Sequence, residues 1–422
     1  MSRFLAVFMS SALLSRGDWL TTERIRRIGI VFAVMALIVL GGDAWLRSTH
    51  GVTDADGQQL GRDFINYWAG AHLAAHGEAV RVYDINGFLE YQRSQTAPNA
   101  DFKWYSYPPT ALVLSLPLAG LDFIPALVFW LLSGVVICAI LLARNLGWRG
   151  ALLTAFATPA SLLNALSGQN GQFTAALLCG GILFLERRPW LAGLLFGTLC
   201  FKPHLAILIP IALAADGRWR AFAAAGLTAL AICGSAFLLG PDVWTAFLKN
   251  APLNARVLEI GDSMWHRMPT MFATVRLVGG SIGAAYGVQA VSAILATLLM
   301  IVIWRSRATI AVKGSALVIA TFLVTPYAWD YDLVALTFAA TWLATEATRT
   351  GFHPWEKIAL AVIIAMPLIS LRLADASHVQ ICPLALWAMM GLLMRRALEQ
   401  GHLAQHDQER EGAKDICLGR LA

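Results

Sequence analysis

Residues 24–46 read RIRRIGIVFAVMALIVLGGDAWL, a basic cluster followed by an apolar run whose one charge is Asp43. Coiled as a helix, such a run matches the ~30 Å apolar thickness of a bilayer. Similar apolar stretches recur near residues 122–143, 151–166, 172–185, 189–214, 221–239, 284–303, 314–325, 333–345, 357–371 and 380–394. Of the 422 residues 58% are hydrophobic and 14% charged, more apolar surface than a soluble fold can bury. The expected fold is therefore all-α and polytopic, with about 11–13 membrane helices, because only helices satisfy their own backbone in lipid at this composition. Several stretches fall below the ~20 residues that cross comfortably, so short, broken or re-entrant helices are expected.

Lysine and arginine cluster at Arg24, Arg26 and Arg27, at Arg144 and Arg149, at Arg187 and Arg188, at Arg218 and Arg220, at Arg305, Arg307 and Lys313, and at Arg395 and Arg396. Short loops rich in these residues stay in the cytoplasm, which places the amino terminus inside and the 47–107 loop outside. The net charge of +6 then reflects membrane orientation, and nucleic acid is not an expected partner. The domain reading is an interfacial cytoplasmic segment over 1–27, one integral membrane domain over 28–396 with outer loops at 47–107 and 240–268, and a disordered cytoplasmic tail over 397–422. The first 20 residues lack a small-residue cleavage site, so an uncleaved segment is expected. Cys138, Cys179, Cys200, Cys233 and Cys382 lie in apolar stretches and Cys417 in the tail, with no shared outer loop and no metal-ligand spacing. Neither a disulfide nor a metal nor another cofactor is expected.

The first outer loop contains RDFINYWAGAHLAAHG at 62–77, where Phe64, Trp68, Ala71 and Ala75 share a helical face, as in a helix lying on the bilayer surface. Asp63 precedes that helix. An acid there can cap it, or can serve as a general base that takes a proton from a hydroxyl at the membrane surface. Arg62 could keep the carboxylate ionised or bind an anionic substrate. A second helix is expected over 85–93. The loop closes with WYSYPPTALVLSLPLAG at 104–120, a piece too short to span, whose aromatic residues suit the headgroup region.

Four further motifs carry polar groups. FKPH at 201–204 puts Lys202 and His204 at a proline bend inside an apolar run, where a cation either snorkels to the headgroups or neutralises a lipid phosphate. SGQNGQ at 167–172 offers Ser167, Gln169, Asn170 and Gln172 beside glycines, as a tight turn or a sugar-binding set of hydroxyl and amides. His266 and Arg267, in GDSMWHRMPT at 261–270, either anchor a loop in anionic lipid or clamp a phosphate. TPYAWDYD at 325–332 brings Asp330 and Asp332 together, one explained as a helix cap and the other free to orient a sugar or a substrate cation.

In this order, RDFINYWAGAHLAAHGEAVRVYD, YPPTALVLSLPLA, SGQNGQ, FKPH and TPYAWDYD resemble glycosyltransferase family 87, over roughly residues 28–395. The resemblance implies a fold of the GT-C type, and Asp63 matches the family's catalytic acid in the first extracytoplasmic loop. Tyr67 and Trp68 of the same motif are assigned to substrate contact. Many members carry a histidine in the motif that here reads Trp-Asp-Tyr-Asp. The implied activity is transfer of a hexose, with mannose the family's best-known donor sugar, from a polyprenyl-phosphate carrier to a lipid or glycan acceptor. The expected setting is the extracytoplasmic face of the inner (plasma) membrane, among membrane lipids. The chemistry agrees, because a nucleotide-sugar pool is lacking outside the cytoplasm and phosphate leaves without help from a second carboxyl group. The expected reaction inverts the anomeric centre without a metal. The competing reading is a transporter or lipid flippase, which also uses broken helices and a few buried charges.

Overall fold

A computed structural model of the chain describes residues 15–261 and 264–419, with side chains described to residue 401. The expected interfacial segment before residue 15 and Asp262 lie outside the described residues. The architecture is helical, and five helices are long and apolar enough to cross a membrane. The first, α1 (Thr22–Arg47), is opened by Thr21, whose hydroxyl accepts the Arg24 amide, and among its residues only Ala36 is buried. Its exposed Val31, Val34, Leu37 and Ile38 are the surface a lipid-facing helix presents.

The 47–107 loop forms α2 (Phe64–Ala75) and α3 (Ile85–Gln95), the latter close to the helix expected over 85–93 and capped by Asp84. Helix α2 departs from expectation. It does not lie on a surface: Phe64, Ile65, Tyr67, Trp68, Ala69, Ala71 and Leu73 are all buried. The reason is the segment after the loop. Pro108 and Pro109 start α4 (Pro109–Ser115), which continues as a 3-10 turn to Gly120 and packs on α2 together with α5 (Phe123–Phe156). Small residues along α2 let these neighbours close on both faces. Gln92 of α3 then ties the loop shut, bonding Asn66 Oδ1 at 3.1 Å, the Lys103 carbonyl at 2.8 Å and the Lys103 amide at 3.0 Å.

Beyond α5 the chain continues through α6 (Pro159–Ser167), α7 (Gly171–Phe184), α8 (Pro189–Thr198), α9 (Pro203–Ala206), α10 (Ile209–Ala215), α11 (Trp219–Ser235) and α12 (Val243–Ile260). It ends in α13 (Met271–Leu277), α14 (Ile282–Arg305), α15 (Ile310–Val324), α16 (Val334–Thr350), α17 (Glu356–Ser377) and α18 (Cys382–Gly419). The apolar run 189–214 is indeed broken at Lys202 and Pro203. Helices α15 and α16 are short because they are interior: nearly every residue of α15 is buried, so neither needs to match lipid thickness. The polar tail after residue 397, expected to be disordered, continues as helical backbone in α18.

Ion pairs mark one end of the bundle. Lys313 reaches Asp216 at 2.6 Å, Lys357 reaches Asp18 at 3.3 Å, and Arg396 holds Glu356, with Nη2 to Oε2 at 2.6 Å. These join several of the basic clusters. Helix α17 begins there at Glu356 and ends near Asp375, which faces His266 at 3.4 Å. The loops that carry Asp63, Gln169, Arg267 and Asp330 meet at this second end.

Candidate active site

Two glycines decide which loops can meet. Gly168, the left-handed cap of α6 at φ 58°, lies so close to the loop before α2 that a Cβ would stand 2.2 Å from the Gly61 carbonyl oxygen. Gly171 starts α7 against the Tyr331 carbonyl oxygen, which a Cβ would approach to 2.0 Å. Any other residue at either place would force the backbones apart. The SGQNGQ turn is thus wedged between the 47–107 loop and the TPYAWDYD loop.

Asp63 lies at the N-cap position of α2, but its side chain accepts no capping bond. Its amide donates to the Ser167 carbonyl at 3.2 Å, and its Oδ2 accepts the Gln169 Nε2 at 2.9 Å. The capping reading therefore fails, and the half-buried carboxylate is directed toward the SGQNGQ turn. Gln169 Oε1 in turn accepts from Tyr67 at 2.6 Å and from Tyr107 at 3.1 Å, and the two phenol oxygens are 2.6 Å apart. Burial, reinforced by the neighbouring phenol, pushes the Tyr67 hydroxyl well above its ordinary pKa; burial likewise pushes that of Tyr107 up. Both stay protonated and able to donate.

Arg267 joins the same place from the 240–268 loop. Its Nε and Nη2 form a fork on Asp330, both bonds at 2.9 Å, and Nη2 also reaches Ser167 Oγ at 3.0 Å. One residue, Ser167, therefore links Arg267 to the Asp63 backbone. Burial works against the guanidinium's charge, but Asp330 outweighs it and holds the group above the usual arginine pKa. The guanidinium also lies over Trp329 and Tyr331, at 5.9 and 6.0 Å from their ring centres.

Lys202 forms a deeper cluster. Its Nζ meets Asp332 Oδ1 at 2.5 Å and Asn170 Oδ1 at 3.0 Å and lies 5.0 Å from the centre of the Tyr331 ring, and the ion pair is almost wholly buried. It does not snorkel. Asp332 Oδ2 accepts the Trp329 amide at 3.1 Å, so this acid supplies the expected cap while pairing with a cation. His204 rests edge-on against Tyr327, ring centres 5.3 Å apart, and among the described residues nothing bonds its buried Nε2.

Three expected site residues lie elsewhere. Arg62, at φ 42°, turns from Asp63 to pair with Asp43 at 2.8 Å and to bond the Leu166 carbonyl, and burial lowers its pKa against the pull of Asp43. Trp68 donates to the Leu121 carbonyl at 2.8 Å and packs on Phe123, so it supports the loop instead of facing a substrate. His266 points to Asp375 on α17. Asp330 and Asp332 are not a free pair of acids, since each already holds a cation of the protein. Tyr107 entered the sequence reading only as a headgroup aromatic, and Ser167 as a turn residue or a sugar-binding hydroxyl. The dense run of aromatics in WYSYPP was the available signal for Tyr107.

The charge pattern follows. Of the three carboxylates the sequence singled out, Asp330 and Asp332 are ion-paired, while among the described residues no cation pairs with Asp63. Such an arrangement can hold one anionic base beside a partly open cationic group, which suits proton removal next to a departing anion.

A family model described as Glycosyltransferase family 87 matches residues 105–326, more than half of the chain. The matched residues include Tyr107, Gln169, Lys202 and Arg267, and leave out Asp63, Asp330 and Asp332. No curated protein and no solved structure matches the chain.

Proposed function

The chain belongs to glycosyltransferase family 87 and is a membrane glycosyltransferase, and from that premise we propose that Asp63 is the base of a polyprenyl-phosphate-dependent hexosyl transfer. The observation that carries this reading is the condition of its carboxylate: unpaired by any described cation, only half buried, and set at the end of the bundle remote from the basic clusters. A lipid or glycan hydroxyl gives its proton to Asp63 while its oxygen attacks the anomeric carbon. The bond from that carbon to the phosphate oxygen breaks, and the phosphate departs with the electron pair, inverting the centre.

The departing charge falls to Arg267, partly exposed at the same end, or to His204, whose ring carries a buried Nε2 unpartnered among the described residues. Arg267 is the stronger candidate, because Asp330 holds two of its donors in place while Nη1 makes no hydrogen bond among the described residues. Lys202 stands behind them, where its charge orients Asp332 and Asn170. The remote position of the basic clusters supports an extracytoplasmic site in the inner membrane, which a carrier-bound sugar can reach from within the bilayer. Mannose is the first donor sugar to try.

The test uses purified full-length protein with a panel of polyprenyl-phosphate hexoses and membrane lipid extract, with products read by mass spectrometry. Wild-type protein should transfer one hexose to a lipid, and Asp63→Asn should slow transfer by about 10²–10⁴-fold. Undiminished transfer by Asp63→Asn would remove this residue as the base. Movement of the carrier lipid between leaflets, with no product formed, would favour a flippase.

A further inference from the structure

We propose that Gln169 is a positioning residue for Asp63, oriented by the Tyr67 and Tyr107 hydroxyls so that its N–H holds one carboxylate oxygen and leaves the other to meet the acceptor. The inference rests on Asp63 being the base. It replaces the sugar-binding role expected for Gln169.

A side-chain amide can present either end to a neighbour, and a carboxylate accepts only the N–H end. What selects that end here is the other side of the group. Two phenols, at 2.6 and 3.1 Å, converge on the oxygen of Gln169. Both are buried and protonated, so at least one hydroxyl must donate to that oxygen while the other donates to it or to its fellow. A flipped amide would set N–H against these donors and an oxygen against Asp63. The residue is also fixed from behind. Its carbonyl accepts the Trp130 indole N–H at 3.2 Å, its amide donates to the Asn164 carbonyl at 3.0 Å, and the Trp130 ring stacks on Tyr67. Little remains for a sugar, since Gln169 is 5% exposed.

The consequence concerns Asp63. Its Oδ2 is held at 2.9 Å, while no hydrogen bond from the described residues reaches Oδ1. One oxygen fixes the plane of the carboxylate and the other is available to a hydroxyl. A base held this way needs less reorientation as the acceptor attacks, which is a gain in rate more than in binding.

The experiment reads both stability and transfer in the full-length protein. Gln169→Glu should lower the thermal midpoint by several degrees near pH 8, where two carboxylates would oppose each other. Adding Asp63→Asn should restore most of the loss, because the new amide can donate in the reverse direction. Gln169→Leu should lower kcat by about 10–100-fold with KM for the polyprenyl-phosphate hexose nearly unchanged. Tyr67→Phe should be milder than the Tyr67→Phe, Tyr107→Phe pair, since either phenol can orient the amide. If Gln169→Glu with Asp63→Asn is as unstable as Gln169→Glu alone, the orientation is wrong. Full kcat in Gln169→Leu beside an inactive Asp63→Asn overturns the positioning role and spares Asp63. An active Asp63→Asn removes the base itself, and this inference with it.

Discussion

Gln169 Nε2 donates to Asp63 Oδ2 at 2.9 Å across 106 positions of sequence. This bond joins the 47–107 loop to the turn between α6 and α7, and the approach of Gly168 to Gly61 makes it geometrically possible. The arrangement around it leads to four expectations.

The close approach itself can be tested. Gly168→Ala adds a Cβ at 2.2 Å from the Gly61 oxygen in a left-handed backbone, and should cost about 1–3 kcal/mol of stability while displacing Asp63. Gly226→Ala, within α11 and with nothing near its Cβ, should change stability by no more than about 0.5 kcal/mol. Thermal unfolding of the two purified variants in one detergent compares them. Equal midpoints would show that the Gly61–Gly168 contact is not needed.

Lys202 and Asp332 form a buried pair, so removing one partner leaves the other charge without compensation. Lys202→Met should destabilise the protein by about 3–5 kcal/mol, and adding Asp332→Leu should recover most of this. The readout is thermal or denaturant unfolding. A single variant as stable as wild type would argue against an ionised pair at this site.

Arg267 has two tasks that one substitution would confuse. Arg267→Gln strands Asp330, which is 3% exposed, and should lower stability as well as transfer. Arg267→Gln with Asp330→Asn should regain stability yet remain about 10²–10³-fold slower in transfer, if the guanidinium stabilises the leaving phosphate. Transfer that returns together with stability would reduce Arg267 to a structural tie.

Orientation can be read by labelling. Glu90 on α3 and Arg305 at the end of α14 are both exposed and belong to opposite ends of the bundle. In intact cells a membrane-impermeant maleimide should label Glu90→Cys, and should label Arg305→Cys only after lysis, against the unsubstituted protein as background. The reverse pattern would put Asp63 in the cytoplasm and defeat the carrier-lipid argument.

Much of the architecture was legible because hydropathy is a local property. The broken run at Lys202, the helix from Ile85 and the short piece after Pro108 all appear as expected from their own residues. The misreadings arose where neighbours from afar intervene. The small residues of α2 suit a surface helix equally well until α4 and α5 cover it, and Arg62 suits Asp63 until Asp43 takes it.

The sequence by itself determined the membrane class, the placement of the basic clusters and the order of polar motifs, since each depends on composition within a few dozen residues. Only the tertiary structure decided which carboxylate lacks a cation, which phenols meet Gln169 and which aromatics merely pack. Those outcomes depend on contacts of about 3 Å between segments 53 to 130 residues apart, where one missing Cβ can decide whether two loops touch.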